Sequence, residues 1–155
     1  MALPDVAYRV IGWFSTTRFD RVVHPILYRR FGARGILGHV LGTEMLLLTT
    51  TGRRTGQPRT VALFAFANED GDGGGWIVVA SRGGTRKLPA WCRNLAAQPD
   101  ARVQVRDRRI AIRARELDGD EYEAAFETAA RIYPGYRVYR RRSPIQIPIL
   151  KLEPR

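Results

Sequence analysis

From Glu44 onward the chain breaks into short runs with the two-residue period of strands, and several of the joins between them are too short to hold a helix. Met45 to Thr51 is apolar and β-branched, Gly52-Arg53-Arg54-Thr55-Gly56-Gln57-Pro58 reads as a loop, and Arg59 to Ala67 returns as a second strand. The pair is predicted to be a hairpin. Asp70-Gly71-Asp72-Gly73-Gly74-Gly75 is a second turn, and Trp76 to Ser81 a third strand. Val103 and Val105 alternate with Arg102, Gln104 and Arg106, and after a turn at Asp107-Arg108 the alternation resumes with Ile110 and Ile112. A run with one apolar face buries one side of an antiparallel sheet. Ile145 to Leu150 reads as the final strand, with Pro148 forcing an edge position or a bulge.

Helical periods surround these runs. Leu3, Val6, Ala7, Val10, Ile11 and Phe14 recur at spacings of three and four, and Thr17 with Asp20 makes a capping box for a second helix carrying Val22, Val23, Ile26, Leu27 and Phe31 as far as Gly32. Pro89 opens a short helix through Trp91, Asn94 and Leu95 to Ala97. Asp118 and Glu121 form another capping box, followed by the stripe Tyr122, Ala125, Phe126, Ala129 and Ile132, which ends near Tyr133-Pro134-Gly135. Antiparallel strands with helices between and around them imply a small β-barrel of the α+β class.

A chain of 155 residues makes one domain whose core needs no staples. Its one cysteine, Cys92, excludes an intramolecular disulfide, and with His24 and His39 it supplies too few ligands for a structural zinc site. Arg9, Arg18 and Glu44 interrupt every run that could approach the ~20 apolar residues of a membrane span. With neither a basic n-region nor a cleavage site at the N-terminus, no signal peptide is expected, and a reducing cytoplasm fits best. The charge is lopsided: 26 Lys and Arg against 15 Asp and Glu, a net +11. Only Lys87 and Lys151 are lysines, so the excess is carried by planar guanidinium forks suited to phosphate and carboxylate. The first functional expectation is an anionic partner: nucleic acid, an acidic membrane surface or a polyanionic cofactor.

Three clusters could serve one. In Thr49-Thr50-Thr51-Gly52-Arg53-Arg54-Thr55-Gly56-Gln57-Pro58-Arg59, two glycines leave backbone amides free to face outward among three arginines. It is an anion cradle or a solvated basic hairpin turn; with no Gly-Lys-[Ser/Thr] and a strand following, it is not a P-loop. Ala80-Ser81-Arg82-Gly83-Gly84-Thr85-Arg86-Lys87 brings hydroxyls and cations through a flexible corner to the start of the Pro89 helix. On that helix Trp91 and Asn94 share a face; Trp91 is core or ligand platform, and Asn94 needs a polar partner that a heteroaromatic ring would supply. Tyr133, Tyr136 and Tyr139 recur every third residue of a flexible segment before Arg140-Arg141-Arg142, and they line a pocket or cover a helix end. Cys92 reads as an inert filler, and the two histidines, both N-terminal, give a hydrolytic triad too little support.

The run Leu47-Leu48-Thr49-Thr50-Thr51-Gly52-Arg53-Arg54-Thr55-Gly56-Gln57-Pro58-Arg59 resembles the deazaflavin-dependent nitroreductase and quinone-reductase family. So do Val79-Ala80-Ser81-Arg82-Gly83-Gly84, Trp91-Cys92-Arg93-Asn94-Leu95 and Tyr133-Pro134-Gly135-Tyr136, in the same order. The first motif is long and specific; the others are weaker singly. The resemblance, which runs over residues 8 to 153, implies a split antiparallel β-barrel of about six strands, with N-terminal helices and two helices between strands. Residues 1–42 would form an amphipathic helical segment packed on the barrel or a membrane surface, and 43–155 the deazaflavin-binding barrel.

The implied cofactor is coenzyme F-420, a deazaflavin with a phosphodiester and an oligoglutamate tail; FMN is the alternative. By resemblance Arg53, Arg54 and Arg59 hold the phosphate and glutamates, in a cofactor site that also takes in Thr55, Gly56, Gln57, Pro58, Phe64, Ala80, Ser81, Arg82, Ala90, Trp91 and Asn94. Tyr133, Tyr136 and Tyr139 line the substrate pocket, and Ser81, Tyr133 and Tyr136 are the candidate catalytic residues. The family often has Lys where Arg82 stands, and a proline and a tyrosine where Ala62 and Phe64 stand. The implied reaction is hydride transfer from the reduced cofactor to a quinone, nitroaromatic or activated enone, with the site excluding water and neutralising the oxyanion that develops.

Basic amphipathic residues Trp13, Phe14, Arg18 and Arg21 could also lie on the inner face of the cell membrane, or pack against the barrel or a second subunit. Two rival readings are a flavin- or haem-binding split barrel and a nucleic-acid binder using Arg106, Arg108, Arg109 and Arg140 to Arg142. No nucleic-acid partner is expected, because the hairpins lack the aromatic pair of an RNA-stacking sheet.

Overall fold

In the computed structural model, which describes residues 44–67 and 74–155, the alternating runs become six strands: β1 (Glu44–Thr51), β2 (Pro58–Ala67), β3 (Trp76–Val79), β4 (Asp100–Val105), β5 (Arg108–Glu116) and β6 (Ile149–Pro154). Every pairing is antiparallel, and the order β1-β2-β3-β6-β5-β4 closes into a barrel because β4 returns to pair with β1. The α+β barrel expected from the strand pattern is therefore present. The expected N-terminal helices lie outside the described residues, and no described helix is long and apolar enough to cross a membrane.

The period of two sorts the side chains cleanly. Leu46 and Leu48 of β1, Val61, Leu63 and Ala65 of β2, Val78 of β3, Val103 of β4, Ile112 of β5, and Leu150 and Leu152 of β6 fill the interior. Register confirms the sorting, since Leu48 stands opposite both Val61 and Val103. Burying one such side chain contributes about 1.5–3 kcal/mol. Helix α1 (Ala90–Ala97) adds Trp91, Cys92 and Leu95 to that interior. It starts after Pro89, whose missing N–H costs a helix start nothing, and ends where Gln98 turns extended before Pro99.

A second core forms outside the barrel. Helix α2 (Gly119–Ile132) buries Tyr122, Ala125, Phe126 and Ala129 against Phe66, Val79 and Ile149 on the outer faces of β2, β3 and β6. Helix α3 (Gly135–Arg142) completes this layer with Tyr136, Val138 and Tyr139. Bidentate ion pairs from Arg137 to Glu127 and from Arg140 to Glu123 join α3 to α2, and the Arg140 guanidinium lies 4.3 Å from the centre of the Phe126 ring. Exposed pairs of this kind add little to stability, so apolar burial holds the layer and the charges orient it.

Four sequence expectations are corrected. The segment after Tyr133, read as flexible, is helix α3, because Tyr136, Val138 and Tyr139 give it a face to bury. The last strand starts at Ile149 rather than Ile145, so Pro148 precedes it and neither edge nor bulge is required; the Pro148 carbonyl instead accepts from the Ala80 amide. The turn of the second hairpin is Arg106-Asp107, one residue earlier than expected, with Arg106 at a φ of 53°. Asp118 stands at the N-cap of α2, but its side chain makes no capping hydrogen bond.

Candidate active site

The loop between β1 and β2 closes on itself. The Gly52 amide donates to Gln57 O at 2.8 Å, and the amides of Thr55 and Gly56 both donate to Gly52 O. The Gln57 amide reaches Thr55 Oγ1, and the Arg53 amide reaches Asn94 Oδ1 at 3.2 Å. Gly52 is buried, and a Cβ there would meet Thr55 Oγ1 at 2.9 Å and Gln57 O at 3.1 Å. The nest of outward amides expected here is therefore not formed: these five N–H groups shape the loop and are not free for an anion. Anion binding falls to the side chains. Arg53, Arg54 and Arg59 are exposed and have no carboxylate partner among the described residues, while Arg113, Arg115, Arg137, Arg140 and Arg155 are all ion-paired. The carboxylates thus neutralise β5 and the helices and leave the loop's positive charge unopposed.

Beneath the loop, buried Asn94 on α1 binds in two directions. Its Nδ2 donates to Thr50 Oγ1 at 3.0 Å, and its Oδ1 accepts from the Arg53 amide. The partner sought for this amide is thus protein, and Asn94 is a clamp between α1 and the arginine loop. Thr50, 2% exposed, was not singled out by the sequence reading, although its place in the alternation, two after Leu48, put it on the inner face. Trp91 and Ala80 share the barrel core, which is the core reading of Trp91; Ala90, one residue before it, is exposed.

The second loop is built tightly. Ser81 leads into a single 3-10 turn, η1 (Arg82–Gly84), in which Arg82, Gly83 and Gly84 take φ values of 40°, 66° and 76°. Glycine adopts that conformation freely, whereas Arg82 holds it at a cost. The corner expected to be flexible is packed: a Cβ on Gly84 would stand 2.7 Å from Tyr139 O and 2.9 Å from Tyr139 Cα. That contact seats α3 on η1 and brings Ser81 and Arg82 alongside the tyrosine helix.

Tyr133, Tyr136 and Tyr139 pack together, and all three are buried. The Tyr133 and Tyr139 hydroxyls lie 3.0 Å apart, and the Tyr133 and Tyr136 rings meet edge to face at 5.1 Å. Tyr136 also meets Phe66 edge on at 6.0 Å. Burial pushes the Tyr136 phenol well above the ordinary tyrosine range, with the nearby Tyr139 adding to the shift, so it stays neutral. Its hydroxyl has no hydrogen-bond partner among the described residues, which leaves one buried donor for something else to satisfy. Phe64 stands two residues from Phe66 on the same outer face of β2, about 7 Å along the strand.

Cys92 is buried in the barrel, and burial pushes its thiol up to about 11, as an inert filler requires. Because the folded thiol holds its proton past the unfolded value of 9.0, its contribution to stability is complete below pH 9 and is lost as pH rises through about 11. Melting temperature is therefore expected to fall over that window, and a Cys92→Ala variant to show a shallower fall in parallel scans.

The family profile described as F420H(2)-dependent quinone reductase matches residues 21–154. The F420H(2)-dependent quinone reductase Rv1261c of Mycobacterium tuberculosis (strain ATCC 25618 / H37Rv) is 33% identical over 136 residues, covering 83% of this chain and 87% of that protein. A solved structure described as an F420-H2 dependent reductase (FDR-A) superposes with a TM-score of 0.62 at 36% identity, over 70% of this chain and 93% of that one. Another, described as a domain-swapped dimer, gives the same TM-score and identity, over 70% of this chain and 79% of that one. The length of the profile match and the identity to these relatives place this chain in the F420H(2)-dependent quinone reductase family.

Proposed function

We propose that this protein binds reduced coenzyme F-420 and uses it to reduce a quinone, with nitroaromatics and activated enones as further acceptors of the same polarity. The observation that carries this reading is the arginine loop, whose three cations have no carboxylate partner among the described residues and whose backbone is held from below by Asn94. Such a donor set fits a tail of phosphate and glutamates. When bound, the deazaflavin supplies a hydride, two electrons together.

The chain's own residues do the rest. Arg53, Arg54 and Arg59 bind the tail, and Ser81 and Arg82 border the ring, with Trp91 and Ala80 supporting that corner from the barrel core. Ser81 and the Tyr136 hydroxyl hold the acceptor oxygen. As negative charge develops on that oxygen, a neutral phenol in a dry pocket donates a hydrogen bond and then its proton, completing the addition of hydride plus proton. The Tyr133 and Tyr139 rings pack edge-on around Tyr136 and hold its ring in place, and solvent returns the proton after product leaves.

Fluorescence titration tests the cofactor. Oxidised coenzyme F-420 is expected to bind saturably at micromolar concentration and FMN not to; tight FMN or haem binding without deazaflavin binding sinks the reading. In an Arg53→Ala/Arg54→Ala variant the affinity should drop roughly tenfold or more and depend less on salt. At saturating cofactor, Tyr136→Phe should lower kcat roughly 100-fold if its phenol is the proton donor, and Tyr133→Phe should lower it less. Unchanged turnover in both variants removes the tyrosines from the mechanism.

A further inference from the structure

We propose that the Ser81-Arg82-Gly83 corner is an oxyanion nest, in which three successive backbone amides and the Arg82 guanidinium grip one anionic oxygen. The corner is a left-handed turn rather than the start of a right-handed helix. Ser81 has a φ of -71° and a ψ of -34°, in the right-handed region, and Arg82 then switches to a φ of 40°. A right-to-left switch points the N–H groups of both residues, and of the next, into one concavity that fits a negatively charged oxygen. The Gly84 amide stands outside that set, because it closes the turn on Ser81 O at 2.8 Å. The amides of Ser81, Arg82 and Gly83 have no acceptor among the described residues. The amides of the Gly52–Gln57 loop, by contrast, are engaged in shaping their own loop.

Packing alone does not explain the residue at position 82. Glycine takes a positive φ without strain and fills the next two positions, yet an arginine holds the first. Strain of this kind persists where the surrounding structure imposes it, and it gathers at functional sites. The Arg82 guanidinium is half-buried, and neither it nor the Ser81 hydroxyl has a hydrogen-bond partner among the described residues. The stretch from 76 to 99 holds no Asp or Glu, so no neighbour along the chain competes for the corner's charge. Gly84 seats the turn on α3 at Tyr139, and α3 carries the Tyr136 hydroxyl, which is buried and likewise without a partner among the described residues. Two adjoining elements thus hold donors that an incoming oxygen would satisfy together. The nest stands on backbone geometry, whereas its place beside the ring rests on the proposed function. Its oxygen comes either from the cofactor ring or from the acceptor as hydride arrives, and the grip is the same for both.

4-Nitrophenol is a suitable probe, because its phenolate presents one anionic oxygen and is yellow where the phenol is not. Titrated against the full chain without cofactor, on both sides of the probe's own ionisation, the wild type should bind the phenolate roughly tenfold more tightly than the phenol. Arg82→Gly keeps the turn and removes the guanidinium, so it should retain part of that preference, about threefold. Arg82→Val, whose branched side chain resists a positive φ, should retain none. Complete loss in Arg82→Gly assigns the anion to the guanidinium alone, and an intact preference in Arg82→Val assigns it to another surface. Either result overturns the nest, as does equal binding of phenol and phenolate by the wild type. The wild type and Arg82→Gly decide the matter even if Arg82→Val does not fold. Saturating oxidised coenzyme F-420 then separates the two sources within a supported nest: displacement of the probe assigns the oxygen to the cofactor, and a probe that stays bound and competes with quinone assigns it to the acceptor. A chain that binds the phenolate with this preference but no deazaflavin keeps the nest and loses the proposed function.

Discussion

Gly84→Ala is expected to destabilise the protein by about 2–4 kcal/mol, the left-handed backbone and the steric clash each supplying part. The methyl group would stand 2.7 Å from Tyr139 O, a main-chain atom that cannot rotate away, at a φ of 76°. A domain of this size should then lose roughly 5–15 °C in melting temperature. Gly119→Ala is the control: its φ of 52° carries the backbone penalty, but nothing lies within 4 Å of the added Cβ. The difference between the two variants in urea unfolding isolates the contact between η1 and α3, and equal losses would mean that the contact contributes nothing. Turnover should suffer beyond stability, because relieving the clash requires α3 to lift away, and α3 carries Tyr136 and Tyr139.

Asn94→Leu is expected to cost about 2–4 kcal/mol, since it strands two groups at once. Thr50 Oγ1, almost fully buried, loses its donor, and the Arg53 amide loses its acceptor. The kinetic signature should be lopsided: the Kd and KM for the cofactor rise with the loosened loop, while kcat at saturating cofactor stays near wild type. A fall in kcat with no change in cofactor affinity would instead put Asn94 against the reacting ring. A double-mutant cycle with Thr50→Val should return a coupling of roughly 1 kcal/mol, the size expected of two side chains sharing one hydrogen bond.

Strand identity was legible because antiparallel alternation is a local property. Leu46, Leu48, Val61, Leu63 and Val103 needed only their neighbours to declare a side. Helix α3 was hidden because Pro134-Gly135 reads as a stop and Arg140-Arg141-Arg142 as a solvated tail; its three buried side chains show their purpose only once α2 and η1 are in place. The arginine loop and Asn94 were misread in detail for one reason. The Gly52–Gln57 loop and Asn94 satisfy their hydrogen bonds with partners within the protein, and a partner 41 residues away leaves no mark in a local window. Gly84 read as a hinge because the sequence shows the missing side chain but not the backbone that occupies its space. Pro148 was assigned to the wrong side of a strand boundary because the apolar run Ile145 to Leu150 extends without a break across both the connector and the strand.

The place of β6 in the ring also bears on synthesis. It follows the other five strands in the chain, yet it lies between β3 and β5 and pairs with both. Until residues 149–154 leave the ribosome, each of those strands presents an unpaired edge, and the ring formed by the other pairings cannot close. The nascent chain thus carries one sticky border from the completion of β3 and a second from the completion of β5, and these are the edges on which premature chains associate. The charges on β5 do little to guard its edge, because Arg113 and Arg115 are paired with Asp100 and Glu121, both of which precede β6 in the chain.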